Sequence, residues 1–519
     1  MYSGKQVHLH PDRPAFIMAR TGAAVSYREL EARSNRLAHL LGALGLKKGG
    51  HYAIFMENND RYIECCSAGS RAGLYYTCVN SFLTASELAY IVNNSESVVL
   101  ITSLAKLEVA REALQQCPQV VACLVVDGDR SMDGGKSVMS LDAATAPHPP
   151  TPLATESFGI PMLYSSGTTG RPKGILKALP EVPPSQDTPQ LAFSDRLWGY
   201  RDDMVYLSPA PLYHSAPNSA VSLTIRRGGT VIIMERFDPE EYLALVGRYK
   251  VTHSQLVPTM FSRILKLAPE TRARYDVSSL EVVVHAAAPC PVPIKEQMIA
   301  WWGPIIREYY GATEGMGFAA CDSHEWLAHK GTVGRVVLGE LHVLDEMMQP
   351  CPVGTSGTLW FKPPAPFEYF NDAQRTAESR SADGVLTTVG DVGYLDEEGY
   401  LYLTDRSTFM IISGGVNIYP QECENLLITH PKVSDAAVFG VPNDDLGEEV
   451  KAVVQVLPGI TPDAELAAEL IAFCQQHLAR PKCPRSIDFL EALPRLPTGK
   501  LYKKPLRETY WAGRTGRIV

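Results

Sequence analysis

Ile160-Pro161-Met162-Leu163-Tyr164 runs without a break into Ser165-Ser166-Gly167-Thr168-Thr169-Gly170-Arg171-Pro172-Lys173-Gly174. The first five residues read as a buried strand, and the ten that follow read as a loop built to hold an anion. Gly167, Gly170 and Gly174 allow tight turns that bring backbone N–H groups close to a phosphate, while Ser165, Ser166, Thr168, Thr169 and Lys173 add donors. A surface turn needs no such density of hydroxyls behind a strand. The loop is not a Walker loop, because Lys173 is followed by glycine rather than Ser or Thr and the glycine spacing differs.

On the amino-terminal side the chain alternates helical and strand periods. Ser26 and Glu29 form the pattern of a capping box, opening a helix with Leu30, Leu37, Leu41 and Leu44 on one face and Gly45 at its end. Tyr52–Met56 reads as a strand, Asp60–Ala72 as a helix and Tyr75–Val79 as a strand. Ala85–Val92 (helix), Val98–Thr102 (strand) and Leu104–Gln115 (helix) follow. Such alternation implies parallel sheets covered by helices. After Gly354 the texture shortens into turn-rich strands, Gly357–Phe361 and Gly390–Thr404. From Tyr419 the pattern is mixed again: Pro420–Leu427 helical, Asp435–Val441 and Val450–Val456 extended, Ala464–Leu478 helical. A boundary near 405–408 divides residues 1–405, a large domain, from residues 406–519, a small one.

The composition fits a soluble α/β protein of at least two domains: 519 residues, 45% hydrophobic, 20% charged. A net charge of -9 offers no basic surface for nucleic acid or an anionic membrane. The 11 cysteines are odd in number and without metal-ligand spacing, which favours reduced thiols. Neither a secretory leader nor an apolar run of spanning length is present, so the expected location is cytoplasmic.

Further segments along the chain complete a resemblance to the adenylate-forming (ANL) superfamily, whose members include acyl-CoA synthetases, luciferases and peptide-synthetase adenylation domains. Tyr164 to Gly174 resembles that superfamily's signature loop. Tyr309-Tyr310-Gly311-Ala312-Thr313-Glu314 is similar to its adenine- and phosphate-contacting segment, and His285-Ala286-Ala287-Ala288-Pro289 to the stretch that stacks on adenine beside the acyl group. Asp391 matches the aspartate that binds the ribose hydroxyls, and Asp405-Arg406 the inter-domain pair whose arginine reaches the nucleotide. Ser413-Gly414-Gly415-Val416-Asn417-Ile418 resembles the turn beside the pantetheine tunnel. Pro497-Thr498-Gly499-Lys500 carries the family's catalytic lysine. These motifs stand in the family's order from the first helix to Lys500.

The resemblance implies a large domain of layered α/β sheets plus a small barrel-like sheet, capped by a small mobile α+β domain. It implies ATP, Mg²⁺ and coenzyme A as cofactor and co-substrates, and a carboxylic acid, ATP and CoA as the only partners. The chemistry agrees. When a carboxylate attacks the α-phosphate and pyrophosphate leaves, charge on the phosphates calls for converging cations and donors. Lys173 and residues 165–170 suit the β- and γ-phosphates, Thr313 the α-phosphate, Glu314 a Mg²⁺ ion, and Lys500 the transition state. His214, in Pro211-Leu212-Tyr213-His214, matches a gate at the acyl pocket's mouth; a purely structural histidine is the competing reading. Leu212 to Val221 holds no acidic residue to hold an ammonium, which disfavours amino acids. Ala286 to Ala288 and Gly317 leave room for a bulky apolar acid: fatty, alicyclic, steroid side-chain or aromatic. Two departures from the family's pattern stand out. Thr408 replaces a charged hinge residue, and Pro363, Pro364 and Pro366 replace a glycine-bearing turn. The rival readings are an adenylating enzyme that loads a carrier protein, with a luciferase-like oxygenase as a remote variant, and a catalytically silent nucleotide sensor. The last is disfavoured because binding alone needs no Lys500.

Overall fold

A computed structural model of the chain describes residues 1–128, 137–165, 172–406, 410–413, 416–443, 445–495 and 501–512. The expectations placed on Ser166, Gly167, Thr168, Thr169, Gly170, Thr408, Gly414, Gly415 and Lys500 lie outside these residues. The chain forms two compact units, one of residues 1–255, 270–284 and 366–377, the other of residues 256–269, 285–365 and 378–519.

The first unit contains a six-stranded, wholly parallel sheet in the order Ser137–Ser140, Ala122–Val126, Val99–Ser103, His51–Phe55, Tyr75–Val79, Ile160–Pro161. Parallel strands buried on both faces read as unbroken apolar runs, and the Ala122–Val126 strand is buried at every position. A second set of strands runs Pro14–Met18, Thr230–Ile233, Val205–Ser208, His253–Leu256, again parallel, with Ala24–Ser26 as an antiparallel edge. Two of the helices between them open on capping boxes. Ser26 and Glu29 exchange the two bonds of a capping box at the head of Tyr27–Ala43, and Thr84 and Glu87 do so for Ala85–Asn94. Leu30, Leu37 and Leu41 are fully buried. The eleven cysteines are free, all but Cys351 buried. Among the described residues no helix is long and apolar enough to cross a membrane.

Three sequence expectations need correction. The helix expected from Asp60 begins at Tyr62, and the one expected over Leu104–Gln115 is a short 3-10 turn, Leu104–Lys106, followed by a helix Leu107–Leu114. The single strand expected over Ile160–Tyr164 is two. Ile160–Pro161 closes the parallel sheet, whereas Leu163–Ser165 belongs to a three-stranded antiparallel sheet with Lys173–Leu176 and Glu368–Tyr369. Pro161 lacks the N–H that a continued ladder would use, and the chain changes sheets just after it.

In the second unit, Ile306–Gly311, Phe318–Cys321 and Arg335–Leu338 pair antiparallel. A four-stranded sheet runs Glu340–Leu344, Gly357–Lys362, Asp391–Leu395, Leu401–Arg406. These strands share a core of Tyr310, Met316, Ala319, Val343, Leu359, Phe361 and Leu401. The carboxy-terminal domain has its own core, in which Ile411, Leu427, Val438, Val454 and Leu470 pack together. Its five-stranded sheet is built around the long hairpin of Val433–Asn443 and Gly447–Val456, flanked by the helices Pro420–Leu427 and Ala464–His477. The protein is thus mixed α/β, with a large amino-terminal part of several sheets and a small carboxy-terminal domain.

Gly334 forms an isolated antiparallel bridge with Leu401. Its φ is +101°, and an added Cβ would lie 2.1 Å from the carbonyl carbon and oxygen of Ala320. Its carbonyl accepts from Leu401 N–H at 2.9 Å, so neither chain can retreat freely. Gly354 has a φ of +78° but open space around it. Gly334→Ala is therefore expected to lose more than the about 1–3 kcal/mol of backbone strain alone, and Gly354→Ala only that strain; midpoints of urea unfolding check the difference.

Candidate functional site

In the first unit the two ends of the anion loop are described. Ser165 pairs with Lys173, and Tyr164 with Gly174, across an antiparallel ladder. The register places the backbone of Ser165 opposite that of Lys173 at the mouth of the hairpin. Tyr164 Oη donates to Asn94 Oδ1 at 2.6 Å and Tyr90 Oη to the Pro172 carbonyl at 3.2 Å, anchoring both arms to the Ala85–Asn94 helix. The proline-bearing segment around residues 363–366 leads into Glu368–Tyr369, which pairs with Ile175 and Leu176. Lys173 Nζ lies 4.5 Å from the centroid of the Tyr369 ring, a cation–π contact that holds an extended cation without neutralising it.

His214 is the N-cap residue of the helix Ser215–Arg227. Its Nε2 is buried without a hydrogen-bond partner among the described residues, and burial lowers its pKa to about 3, so the ring is neutral at physiological pH. Two buried asparagines hold the loop in front of it. Asn58 Oδ1 accepts from Leu212 N–H at 2.8 Å, while its Nδ2 donates to the carbonyls of Met234 at 2.9 Å and Ala210 at 3.2 Å. Asn218 Nδ2 donates to the Leu212 carbonyl at 2.9 Å. Sequence reasoning missed both residues. Asn58 sits in the polar run Glu57-Asn58-Asn59-Asp60, which looks like an ordinary surface loop.

In the second unit Tyr310 and Asp391 come together, and the backbone of Arg406 pairs with Asp391 in a strand ladder. Tyr310 Oη donates to Asp391 Oδ2 at 2.7 Å, and both residues are buried. Asp391 lies opposite Arg406 in the ladder of Asp391–Leu395 with Leu401–Arg406. Tyr309, on the other face of the strand Ile306–Gly311, stacks on Phe318 with centroids 4.7 Å apart and planes 14° apart. Beyond the strand, Gly311 is exposed and the Ala312 carbonyl accepts from Gly315 N–H at 2.9 Å. Thr313 and Glu314 thus occupy the centre of a tight turn, Thr313 half-buried and Glu314 buried. Ala287 has a φ of +75°, a left-handed conformation rare for a residue with a Cβ. Such strain concentrates at binding sites.

Gly317 does not do what its size implied. A Cβ there would sit 2.1 Å from the Phe361 ring, so glycine is required by packing, and the room expected for an acyl group on that side is filled.

Comparison with known proteins places this geometry. The AMP-binding enzyme model matches residues 4–369, and the AMP-binding enzyme C-terminal domain model matches residues 422–500. The chain belongs to the AMP-binding enzyme family. Within the adenylate-forming superfamily it lies in the acyl-CoA synthetase branch. A crotonobetaine/carnitine–CoA ligase of Escherichia coli is 30% identical, over 95% of this chain and 96% of its own. A long-chain-fatty-acid–CoA ligase of Mycobacterium tuberculosis is 30% identical, over 97% and 96%. Among solved structures, an amide bond synthetase of Marinactinospora thermotolerans superimposes with a TM-score of 0.80 at 27% identity, covering 98% of this chain and 99% of its own. The o-succinylbenzoate–CoA synthetase of Bacillus subtilis bound to AMP gives 0.78 at 26%, covering 99% of each. This AMP-binding enzyme is an acid–thiol ligase that uses ATP and CoA.

Asn58→Ala would leave Leu212 N–H and the Ala210 and Met234 carbonyls without their partner in a buried setting. Each such group costs about 1–3 kcal/mol. A fall of several degrees in the thermal midpoint is expected, and Asn58→Asp, which keeps only the accepting half, should fall between the two.

Proposed function

We propose that this enzyme joins a bulky, largely apolar carboxylic acid to coenzyme A in two steps at one site. A carboxylate oxygen attacks the α-phosphorus of ATP, the bond to the bridging oxygen breaks, and pyrophosphate leaves. The CoA thiol, giving up its proton, then attacks the acyl carbon of the adenylate; AMP leaves and the thioester remains. Lys500, Thr313, Glu314 and His214 are the catalytic group. Ser165, Ser166, Gly167, Thr168, Thr169, Gly170 and Lys173 bind the phosphates. Ala287, Tyr309, Tyr310, Gly311 and Ala312 border the adenine. Asp391 and Arg406 take the ribose and nucleotide, and Gly414 and Gly415 line the path of pantetheine. Residues 1–405 form the adenylating domain and residues 406–519 a mobile one that carries Lys500. The enzyme works in the cytoplasm.

The observation that supports this reading best is the hydrogen bond between Tyr310 and Asp391, with the backbone of Arg406 opposite Asp391 in the ladder. A buried carboxylate held by a tyrosine hydroxyl at 2.7 Å keeps its orientation, and an oriented carboxylate suits a pair of ribose hydroxyls. For Mg²⁺, no cluster of three or more His, Cys, Asp or Glu occurs among the described residues. That fits an ion which usually takes one or two carboxylates and completes its shell with phosphates and water. Glu314, a hard oxygen donor in a tight turn, is the residue to hold it, and the ion would neutralise phosphate charge.

The acid's apolar character rests on the small residues Ala286 to Ala288 and on the relative that acts on long-chain fatty acids, while the lack of acidic residues between Leu212 and Val221 disfavours an amino acid. A pyrophosphate-release screen across carboxylic acids, with and without CoA, tests this. Turnover that follows only apolar acids and needs CoA is expected. Turnover with an amine in place of CoA would move the enzyme towards the amide bond synthetase it resembles in fold.

Lys500→Ala should cut adenylation about a hundred- to a thousand-fold, the usual loss for one preorganised donor, and spare thioester formation from supplied acyl-adenylate. Equal loss in both half-reactions, followed by single-turnover quench, would remove Lys500 from the first step. Asp391→Ala should raise the KM for ATP by about tenfold or more, since hydrogen bonds to a charged group contribute about 1.5–3 kcal/mol each. An unchanged KM in a folded variant would rule out the ribose assignment.

A further inference from the structure

Behind the strand that carries Tyr309 and Tyr310 lies a charged cluster with no access to water. Glu308 Oε2 is 2.5 Å from Lys295 Nζ and 3.3 Å from His285 Nε2. Lys295 and His285 are 0% exposed and Glu308 is 3%. Lys295 Nζ also lies 4.6 Å from the centroid of the buried Trp326 ring, and the Phe261 ring meets His285 edge-on at 5.4 Å. Burial pushes the Glu308 carboxyl up, but His285 and Lys295 outweigh it and hold it below the ordinary glutamate value; burial holds the His285 imidazole below its own. Lys295 and Glu308 thus form a buried ion pair, with the His285 imidazole against the same carboxylate oxygen.

The chain positions of the three residues matter as much as their charges. His285 directly precedes Ala286-Ala287-Ala288-Pro289, Glu308 directly precedes Tyr309-Tyr310, and Lys295 lies in the helix Val292–Trp302 that follows Pro289–Pro291. One carboxylate thus joins the two segments assigned to the adenine and the helix behind them. Ala287, two residues from His285, is held in its left-handed conformation. Stability alone does not explain such a cluster, because apolar side chains of similar volume commonly serve as well in a buried site. The Lys295 hydrogen bond and the close approach of the His285 ring to the same carboxylate oxygen set a spacing between chain segments that apolar packing sets less sharply.

We propose that Glu308, with Lys295 and His285, is a positioning residue for the nucleotide: it sets the separation of the Ala286–Pro289 segment from Tyr309, and so the slot for the purine. The inference rests on those segments bordering the adenine, as proposed above.

The test compares His285→Phe, which leaves the Lys295–Glu308 pair intact, with Lys295→Met/Glu308→Leu, which removes both charges together. Each variant is melted, its KM for ATP and for the acid is measured, and AMP binding is followed by calorimetry. The KM for ATP and the Kd for AMP should rise about ten- to a hundredfold, the scale on which a displaced group costs an enzyme. The KM for the acid should stay within about twofold of the unmodified enzyme. If the double variant does not fold, His285→Phe carries the test alone. A folded variant with unchanged ATP and AMP parameters, or one in which acid and ATP parameters rise together, overturns the proposal. Asp391→Ala serves as the reference: if it raises the KM for ATP and His285→Phe does not, the positioning role fails while the nucleotide site stands. If neither raises it, the nucleotide assignment itself is wrong.

Discussion

The hydrogen bond from Tyr310 Oη to Asp391 joins two sheets of the second unit that meet nowhere nearby in sequence. One carries Ile306–Gly311 and the turn with Thr313 and Glu314; the other carries Asp391–Leu395 and Leu401–Arg406. A buried carboxylate must have partners, since desolvating a charge without them is costly. At Asp391 that requirement is met by the strand whose next residues are proposed to contact adenine and phosphate. Satisfying the carboxylate and bringing together the residues proposed to hold the nucleotide are therefore the same event. The shared core of Tyr310, Phe361, Leu359 and Leu401 then fixes how the two sheets pack.

A common pattern runs through both units: groups proposed to touch ligand are held by buried or half-buried polar residues just behind them. Asn58 and Asn218 grip the backbone ahead of His214. Tyr90, Tyr164 and Asn94 tie the arms of the anion-loop hairpin to a helix. Lys295, Glu308 and His285 sit behind the segments proposed to border the adenine. Preorganised groups of this kind lower the reorganisation that a reacting centre would otherwise require. Each support uses side chains distant in sequence, so none could be read from a local motif.

Much of the secondary structure was legible in the sequence, for local physical reasons. The capping box at Ser26 is satisfied by the residue three positions on, and the strand Tyr75–Val79 and the helix Pro420–Leu427 stand where periodicity put them. Ile160–Tyr164 failed because apolar character does not say which sheet a strand joins; Pro161 and the pairing partners decide that. Gly317 failed for a related reason. A missing side chain looks like free space until the structure shows Phe361 filling it.

By itself the sequence determined the order of the chemistry-bearing segments, the alternation that makes the first unit a parallel α/β sheet, and the family to which those segments belong. These depend on residue type and spacing along one chain. The tertiary structure alone decided that Tyr310 reaches Asp391, that Arg406 lies across from it, that two asparagines hold the His214 loop, and that a buried Lys–Glu–His cluster stands behind the adenine segments. Those facts are contacts between residues tens to hundreds of positions apart. Whether a tyrosine hydroxyl or a lysine ammonium finds its carboxylate is settled only when packing brings them within about 3 Å and excludes the water that would otherwise serve as partner.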